Sequence, residues 1–221
     1  MTGPAARRAF GYTGPVMTNL VSLVAPPEPY EALIFDCDGT LADTMPSHYQ
    51  AWLAALHAQN ADLDEAFFYS MAGWPSADII RRLNREFGYA LDVDATHHDK
   101  ESRYVQTLVS ALEITAVADI ARANSGRVPM AVASGGIRPV VLQTLEAVGL
   151  RSLFEIVVAA EDVARGKPAP DMFLLAAEKM GVAPAGCVVY EDGDPGVQAA
   201  KAAGMRVVDV RVLWQPALAA H

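Results

Sequence analysis

Only two of the 221 residues are cysteine, Cys37 and Cys187, and they lie in separate apolar runs without metal-ligand spacing. That excludes a disulfide-stapled scaffold and a cysteine-based zinc site, and leaves buried free thiols in a reducing compartment as the expectation. No apolar stretch approaches the roughly 20 residues that a helical membrane span requires. Basic residues are few, 17 against 26 acidic ones, giving a net charge of −9 with no lysine or arginine run to offset it. A phosphate-rich polymer would be repelled over most of such a surface, so nucleic acid is excluded as a partner. Internal repeats and low-complexity stretches are lacking too. What the chain does have is 52% hydrophobic and 19% charged residues, the composition of a globular protein able to bury a real core, as one domain or one domain with a large insertion.

Residues 1–29 stand apart. Glycines and prolines punctuate them, among them Gly14, Pro15, Pro26, Pro27 and Pro29, and no helical or strand period lasts, so they read as a tail. Arg7-Arg8-Ala9-Phe10 has a faint likeness to a twin-arginine export signal. Gly14 and Pro15 break the segment that follows it and no small-residue cleavage site is evident, so the expected location is the cytoplasm, with Met17 as an alternative start.

From Tyr30 onward, short apolar runs alternate with amphipathic stretches, the pattern of a parallel α/β sheet. The predicted strands are Ala32 to Asp36, Val128 to Ala133, Glu155 to Ala159, Cys187 to Glu191 and Arg206 to Val210. Helices are predicted over Ile137 to Val148, Asp171 to Met180 and Gly196 to Ala203, closing near Gly149, Gly181 and Gly204, where a left-handed cap would sit. Thr44 to Ser110 instead holds helical patterns, over Ser47 to Gln59, Ser76 to Phe87 and Ala95 to Val109, with no good strand. An interval this long is no loop. The expectation is an α/β, Rossmann-like doubly wound parallel sheet over 30–43 and 111–221, with a helical cap domain inserted over 44–110.

Ligands of open parallel sheets bind beyond the carboxyl ends of the strands, and there this sequence is acidic. The first strand ends Asp36-Cys37-Asp38-Gly39-Thr40, two carboxylates on the same side of an extended chain followed by a glycine that lets it turn. The fourth ends Tyr190-Glu191-Asp192-Gly193-Asp194. One acidic pair at a strand end would read as a solvated turn. Two pairs converging would repel, and a hard cation such as Mg2+, which favours carboxylate, carbonyl and water oxygens, relieves that repulsion. After the second strand, Ser134-Gly135-Gly136 opens a helix and offers a hydroxyl and backbone N–H groups to phosphate oxygens. Lys167, in Gly166-Lys167-Pro168-Ala169-Pro170, has its reach limited by the prolines. Alone, the first reads as a turn and the second as solvated surface.

Taken in order, Asp-x-Asp-Gly-Thr, then Ser134, then Lys167-Pro168, then Glu191-Asp192, each after a successive strand, resemble the four motifs of the haloacid dehalogenase superfamily, from about Tyr30 to Leu213. Asp43-Thr44, His48 and Trp52, with the Glu-Asp-Gly-Asp-Pro-Gly-Val-Gln-Ala-Ala stretch, look like the β-phosphoglucomutase group with its helical cap. Lys167 to Asp171 with Phe173-Leu174-Leu175, and the Ala203 to Arg211 ending, are similar to bacterial fructose-1-phosphate phosphatases. The resemblance implies a Mg2+-dependent phosphatase acting on a small sugar phosphate. It makes Asp36 the nucleophile and a metal ligand, Asp38 the general acid and base bound to metal through its backbone oxygen, and Glu191 and Asp192 metal ligands. Ser134 and Gly135 would hold phosphate, with Lys167 between it and Asp36. Asp194 is open between ligand and supporting acceptor.

In the cap, His48, Trp74 and Lys100 are candidates for sugar contacts. Against this, Trp52 reads as cap core, His97-His98 as an exposed helix start and Lys100 as solvated. The nearest alternative is a phosphomutase. Mutases of this group carry a phosphate-gripping arginine three residues after a cap glycine, whereas Gly73 here precedes Trp74-Pro75-Ser76, which favours hydrolysis. The presence of Asp38 disfavours a dehalogenase and a phosphonate hydrolase, and the intact motif set disfavours a non-catalytic binding protein. The expected partner is a small-molecule sugar phosphate, the expected state a monomer or weak homodimer.

Overall fold

The computed structural model describes residues 17–214. Along the chain run α1 (Met17–Leu23), β1 (Ala32–Phe35), α2 (Met45–His57), α3 (Glu65–Tyr69), α4 (Ser76–Phe87), α5 (Val93–Val105), α6 (Thr115–Asn124), β2 (Met130–Ala133), α7 (Arg138–Ala147), β3 (Ile156–Val158), α8 (Asp171–Met180), β4 (Cys187–Glu191), α9 (Asp194–Ala202) and β5 (Arg206–Asp209). Each strand falls within a predicted run. All pair in parallel, in the order β3-β2-β1-β4-β5. β1 is therefore central, and the ends of β1 and β4 lie side by side, with Phe35 opposite Tyr190.

The period-two geometry of strands sorts their side chains between two apolar layers. Leu33, Phe35, Val132, Val188 and Tyr190 face α6 and α7. Ala32, Ile34, Ala131, Cys187 and Val189 face α8 and α9. The sheet is thus covered on both faces, which is why its strands read as continuous apolar runs. Gly149, Gly181 and Gly204 all have positive φ, as expected of residues that end a helix in the left-handed region. α9 begins at Asp194, two residues before the predicted start, and α3 and α6 were not foreseen.

Helices α2 to α5 have an apolar core of their own, built on Trp52, Leu56, Phe68, Ile80 and Leu83. Trp52 is core, as expected. The two chain crossings between these helices and the sheet run together, with Asp43 N–H donating to Leu112 O at 2.8 Å and an antiparallel bridge between Ala42 and Glu113.

The predicted tail is corrected in part. Its helix α1 packs Leu20 and Val21 against the α6 side of the sheet, Val24 is fully buried there, and the Tyr190 hydroxyl donates to Val24 O at 2.9 Å. Leu20, Val21 and Val24 form a single apolar stripe, too short to register as a period. The twin-arginine likeness at Arg7-Arg8 lies outside the described residues. A loose tail would tolerate any change at Val24, whereas this packing predicts that Val24→Ala lowers unfolding stability by roughly 1–3 kcal/mol, read from denaturant titration.

Candidate active site

Asp36 leaves the end of β1 with its N–H donating to Tyr190 O at 3.0 Å, which ties it to β4. Lys167 comes in from the loop before α8 and places its ammonium between two carboxylates, 2.6 Å from Asp36 Oδ1 and 2.5 Å from Glu191 Oε1. All three side chains are buried. Burial works against the Lys167 charge, but Asp36 and Glu191 outweigh it and hold the ammonium above its ordinary range. The expectation for a lone loop lysine, solvated surface, is overturned by these partners. Glycines make the room. A Cβ on Gly196 would lie 1.8 Å from Glu191 Oε1, and one on Gly39, at φ +84°, would lie 2.1 Å from Asp192 Oδ2.

Asp38 is gripped from the helical side. Its Oδ1 accepts from the Thr44 hydroxyl at 2.6 Å and the Tyr104 hydroxyl at 3.0 Å, and lies 3.1 Å from His48 Nε2. Beyond the imidazole, Lys100 Nζ stands 2.9 Å from His48 Nδ1 and 2.9 Å from Glu101 Oε1. An ammonium can only donate, so Nδ1 accepts and Nε2–H donates to Asp38, which makes His48 a neutral imidazole. Burial first, then Lys100, likewise pushes His48 below its ordinary pKa. Burial opposes ionisation of Asp38, but its contacts with His48, Thr44 and Tyr104 hold it below the usual carboxylate range. A cationic His48 would account for that equally, but it could not also accept from Lys100, so the neutral form is the one the geometry supports.

One cavity is lined by Asp36, Asp38, His48, Trp74, Lys100 and Ser134, with Gly135 beside them. Most of the residues singled out in the sequence are therefore gathered on one space. Lys100 is corrected from solvated to 3% exposed, because His48 and Glu101 partner it and the Trp52 and Tyr104 rings stand 5.6 and 5.3 Å away. His97-His98 lie past the start of α5, which begins earlier, capped by Asp92 accepting from Ala95 N–H at 2.8 Å; His98 is exposed as expected, whereas His97 is half-buried. The Ser134-Gly135-Gly136 turn does not open its helix directly. α7 starts at Arg138, whose N–H is already taken by the Glu161 carboxylate at 2.9 Å. Ser134 itself is buried at the cavity, its Oγ accepting from Gly136 N–H at 3.2 Å. Asp194 faces outward and pairs with Arg211 at 2.7 Å, so it serves neither as ligand nor as acceptor in the cavity. Thr44 as an Asp38 partner, Tyr104, Ser76 and Glu101 escaped the sequence reading.

The donor set suits a hard divalent cation. Lys167 Nζ bridges Asp36 and Glu191, and Asp38 and Asp192 add negative charge nearby. Burial pushes Asp36 up to about 7 in spite of Lys167, with Glu191 adding to the rise. Burial, then Glu191 and Asp36, raises Asp192 well above the carboxylate range. More positive charge is needed to keep both ionised at neutral pH. Yet among the described residues no three acidic, histidine or cysteine side chains are gathered as a ready metal cage. Glu191 gives Oε1 to Lys167 and Oε2 to Gly193 N–H at 2.8 Å, and Asp38 Oδ1 is turned to His48. Asp36 Oδ2 and the Asp192 carboxylate remain open to a cation, in keeping with magnesium, which binds through one or two carboxylates and keeps several waters.

A conserved-family model described as haloacid dehalogenase-like hydrolase matches residues 30–204. Fructose-1-phosphate phosphatase YqaB of Escherichia coli is 42% identical over 189 residues, covering 84% of this chain and 99% of that protein. Hexitol phosphatase A of the same organism is 34% identical over 81% of this chain and 82% of its own length. The crystal structure of CbbY from Rhodobacter sphaeroides in complex with phosphate superposes with a TM-score of 0.73 at 28% identity, covering 81% of this chain and 85% of that one. The chain belongs to the haloacid dehalogenase-like hydrolase family, and within it is a phosphoric monoester hydrolase.

The loop 72–75 meets the sheet side at glycines. A Cβ on Gly135 would lie 2.9 Å from Gly73 O, one on Gly193 2.7 Å from Ala72 O, and one on Gly166 2.6 Å from Pro75 Cγ. Gly193→Ala is expected to hold the helices off the site, lowering kcat/KM about 10- to 100-fold while the thermal midpoint stays within a few degrees, as measured by phosphate release and calorimetry.

Proposed function

We propose that the protein is a Mg2+-dependent phosphatase that hydrolyses a small sugar phosphate, fructose 1-phosphate or a similar hexose phosphate, through an aspartyl-phosphate on Asp36. The observation that carries this reading is the buried Lys167 bridge, which aims Asp36 at the cavity where Asp38 and Ser134 also meet. The names of the E. coli relatives, a fructose-1-phosphate phosphatase and a hexitol phosphatase, support the substrate class.

In this mechanism an Asp36 oxygen attacks phosphorus, the bond to the sugar oxygen breaks, and Asp38 protonates the departing oxygen. An incoming phosphate dianion raises the Asp38 pKa by like-charge repulsion and so readies it as the acid. Water then attacks the aspartyl-phosphate, gives its proton to Asp38, and inorganic phosphate leaves with Asp36 restored. Ser134 and the N–H of Gly135 hold phosphate oxygens, while Lys167 balances the charge of Asp36 and of the transferred group. Asp36 and Asp192 would hold magnesium together with the Asp38 backbone carbonyl, and the ion supplies charge neutralisation of the phosphoryl oxygens when bound. His48 donates to Asp38, and Lys100 keeps that donor oriented.

The chain division we propose is a core over 30–43 and 111–221 with a helical cap over 44–110, hinged at the paired Ala42 and Glu113 crossings and closing over the sugar to exclude water. Among the described residues no arginine lines the cavity, which favours transfer to water over the phosphomutase alternative. Cys37 and Cys187 are both buried and free, in keeping with the cytoplasmic setting we propose, and no helix among the described residues is long and apolar enough to cross a membrane.

Asp36→Asn is expected to lower phosphate release from fructose 1-phosphate by at least ~10⁴-fold without loss of folding, since the amide cannot displace the sugar oxygen; full activity in that variant excludes the covalent route. Chelation should abolish turnover, and added magnesium should restore it. Incubation with β-glucose 1-phosphate should give free glucose rather than glucose 6-phosphate, read by coupled assay.

A further inference from the structure

The two carboxylate oxygens of Asp38 are held very differently. Oδ1 accepts from the Thr44 hydroxyl at 2.6 Å and the Tyr104 hydroxyl at 3.0 Å, and His48 Nε2 adds a third donor at 3.1 Å. Oδ2 accepts from no described residue and is not buried away from solvent. Asp38 keeps 17% of its side chain exposed and lines the cavity, so Oδ2 is the oxygen it presents there. The Tyr104 donor is distinguished by a tie to the sheet side: its hydroxyl lies 3.0 Å from Thr144 Oγ1 on α7. A phenol has one proton to give, and an oxygen of Asp38 that bears no hydrogen can only accept it. The Tyr104 proton therefore goes to Asp38, and Thr144 donates to Tyr104. The ring is fully buried with Ala51 of α2 and Val140 of α7, and it stacks on the His48 ring at 3.6 Å and 13° from parallel.

We propose that Tyr104 is a positioning residue for the acid–base step, holding Oδ1 of Asp38 so that Oδ2 alone carries the proton. This rests on the phosphatase reading above. Three donors fill the acceptor capacity of Oδ1, whereas Oδ2 is free to take a hydrogen. As the bond from phosphorus to the sugar oxygen breaks, the proton on Oδ2 passes to that oxygen. As water attacks the aspartyl-phosphate and the bond to Asp36 breaks, a proton of that water returns to Oδ2. Oδ1 accepts in both states, as carboxylate or as carbonyl, so neither half-reaction requires the network to rearrange. A carboxylate held by one donor could turn over and exchange its oxygens, and donors arriving from the β1 loop, α2 and α5 block that rotation. Loss of the Tyr104 bond restores part of the freedom, and with it a misplaced proton.

The test separates the acid from the rest of the site by leaving group, since a sugar oxygen needs a proton to depart and p-nitrophenolate does not. Tyr104→Phe keeps the ring and its packing. It should lower kcat/KM about 10- to 100-fold for fructose 1-phosphate, or for the alkyl phosphate that wild type turns over fastest. For p-nitrophenyl phosphate, kcat/KM reports only the steps up to departure of the phenolate and should stay within about threefold of wild type. Hydrolysis of the aspartyl-phosphate still needs Asp38 as base, so the variant should show a larger burst of p-nitrophenol than wild type, followed by slower turnover. Thr144→Val, which lets the Tyr104 hydroxyl turn, should cost about three- to tenfold on the alkyl substrate and spare the aryl one, and it carries the test if Tyr104→Phe does not fold. Parallel losses on alkyl and aryl phosphates, no loss on either, or no increase in the burst would overturn the assignment while leaving the phosphatase reading intact. No phosphate release by wild type from any probe, the aryl phosphate included, would remove both.

Discussion

The buried Lys167 ammonium is the constraint to which the rest of the site answers. An ammonium removed from water is costly unless paired, and here two carboxylates pair it, from strands that lie next to each other only because the sheet order puts β4 beside β1. Asp36 thereby has one oxygen fixed and a single direction of attack. Glu191 is held between Lys167, Gly193 N–H and the bare face of Gly196. Removing Lys167 would leave two carboxylates without their cation in a dry place, so nucleophile and backing carboxylate depend on the same ammonium.

A second network mirrors the first from the helical side. Asp38, in the β1 loop, is followed by His48 on α2 and by Lys100 and Glu101 on α5 in one hydrogen-bonded chain, and Tyr104 braces its Asp38 end by donating to Asp38 and stacking on the His48 ring at 3.6 Å. The two networks meet at the cavity, one holding the attacking oxygen and the other holding the proton carrier. The links from His48 in α2 and Tyr104 in α5 to Asp38 cross to the β1 loop, so they exist only while the helices rest on the sheet.

Much of this could be read from the chain itself. Parallel strands buried on both faces leave apolar runs that mark themselves, and Asp36, Asp38, Ser134, Lys167 and Glu191 stand at the strand ends where an open sheet binds ligands. Lys100, Glu101 and Tyr104 were not legible in the same way. They occupy successive turns of α5, whose few apolar positions give only a weak stripe, and what they touch depends on how α5 packs against α2 and the β1 loop. The same limit applies to Glu191, whose hydrogen bonds to Lys167 and to Gly193 N–H follow only from the folded geometry. α1 and α6 were missed for a plainer reason: one is two turns long, and the other shows its neighbours mostly alanine, so neither gives a clear apolar period.

The contacts that seat loop 72–75 are made by backbone atoms, Ala72 O and Gly73 O, against glycines that have nothing to offer but space. Part of this docking is therefore main chain against glycine, beside side-chain contacts from Pro75 to Gly166 and from His48 and Tyr104 to Asp38. Residues such as Trp74, Ser76 and Glu101 can change without disturbing how the two halves dock. An architecture of that kind separates the geometry of shutting from the chemistry of choosing, so new selectivities can be grafted onto one unaltered hydrolytic engine.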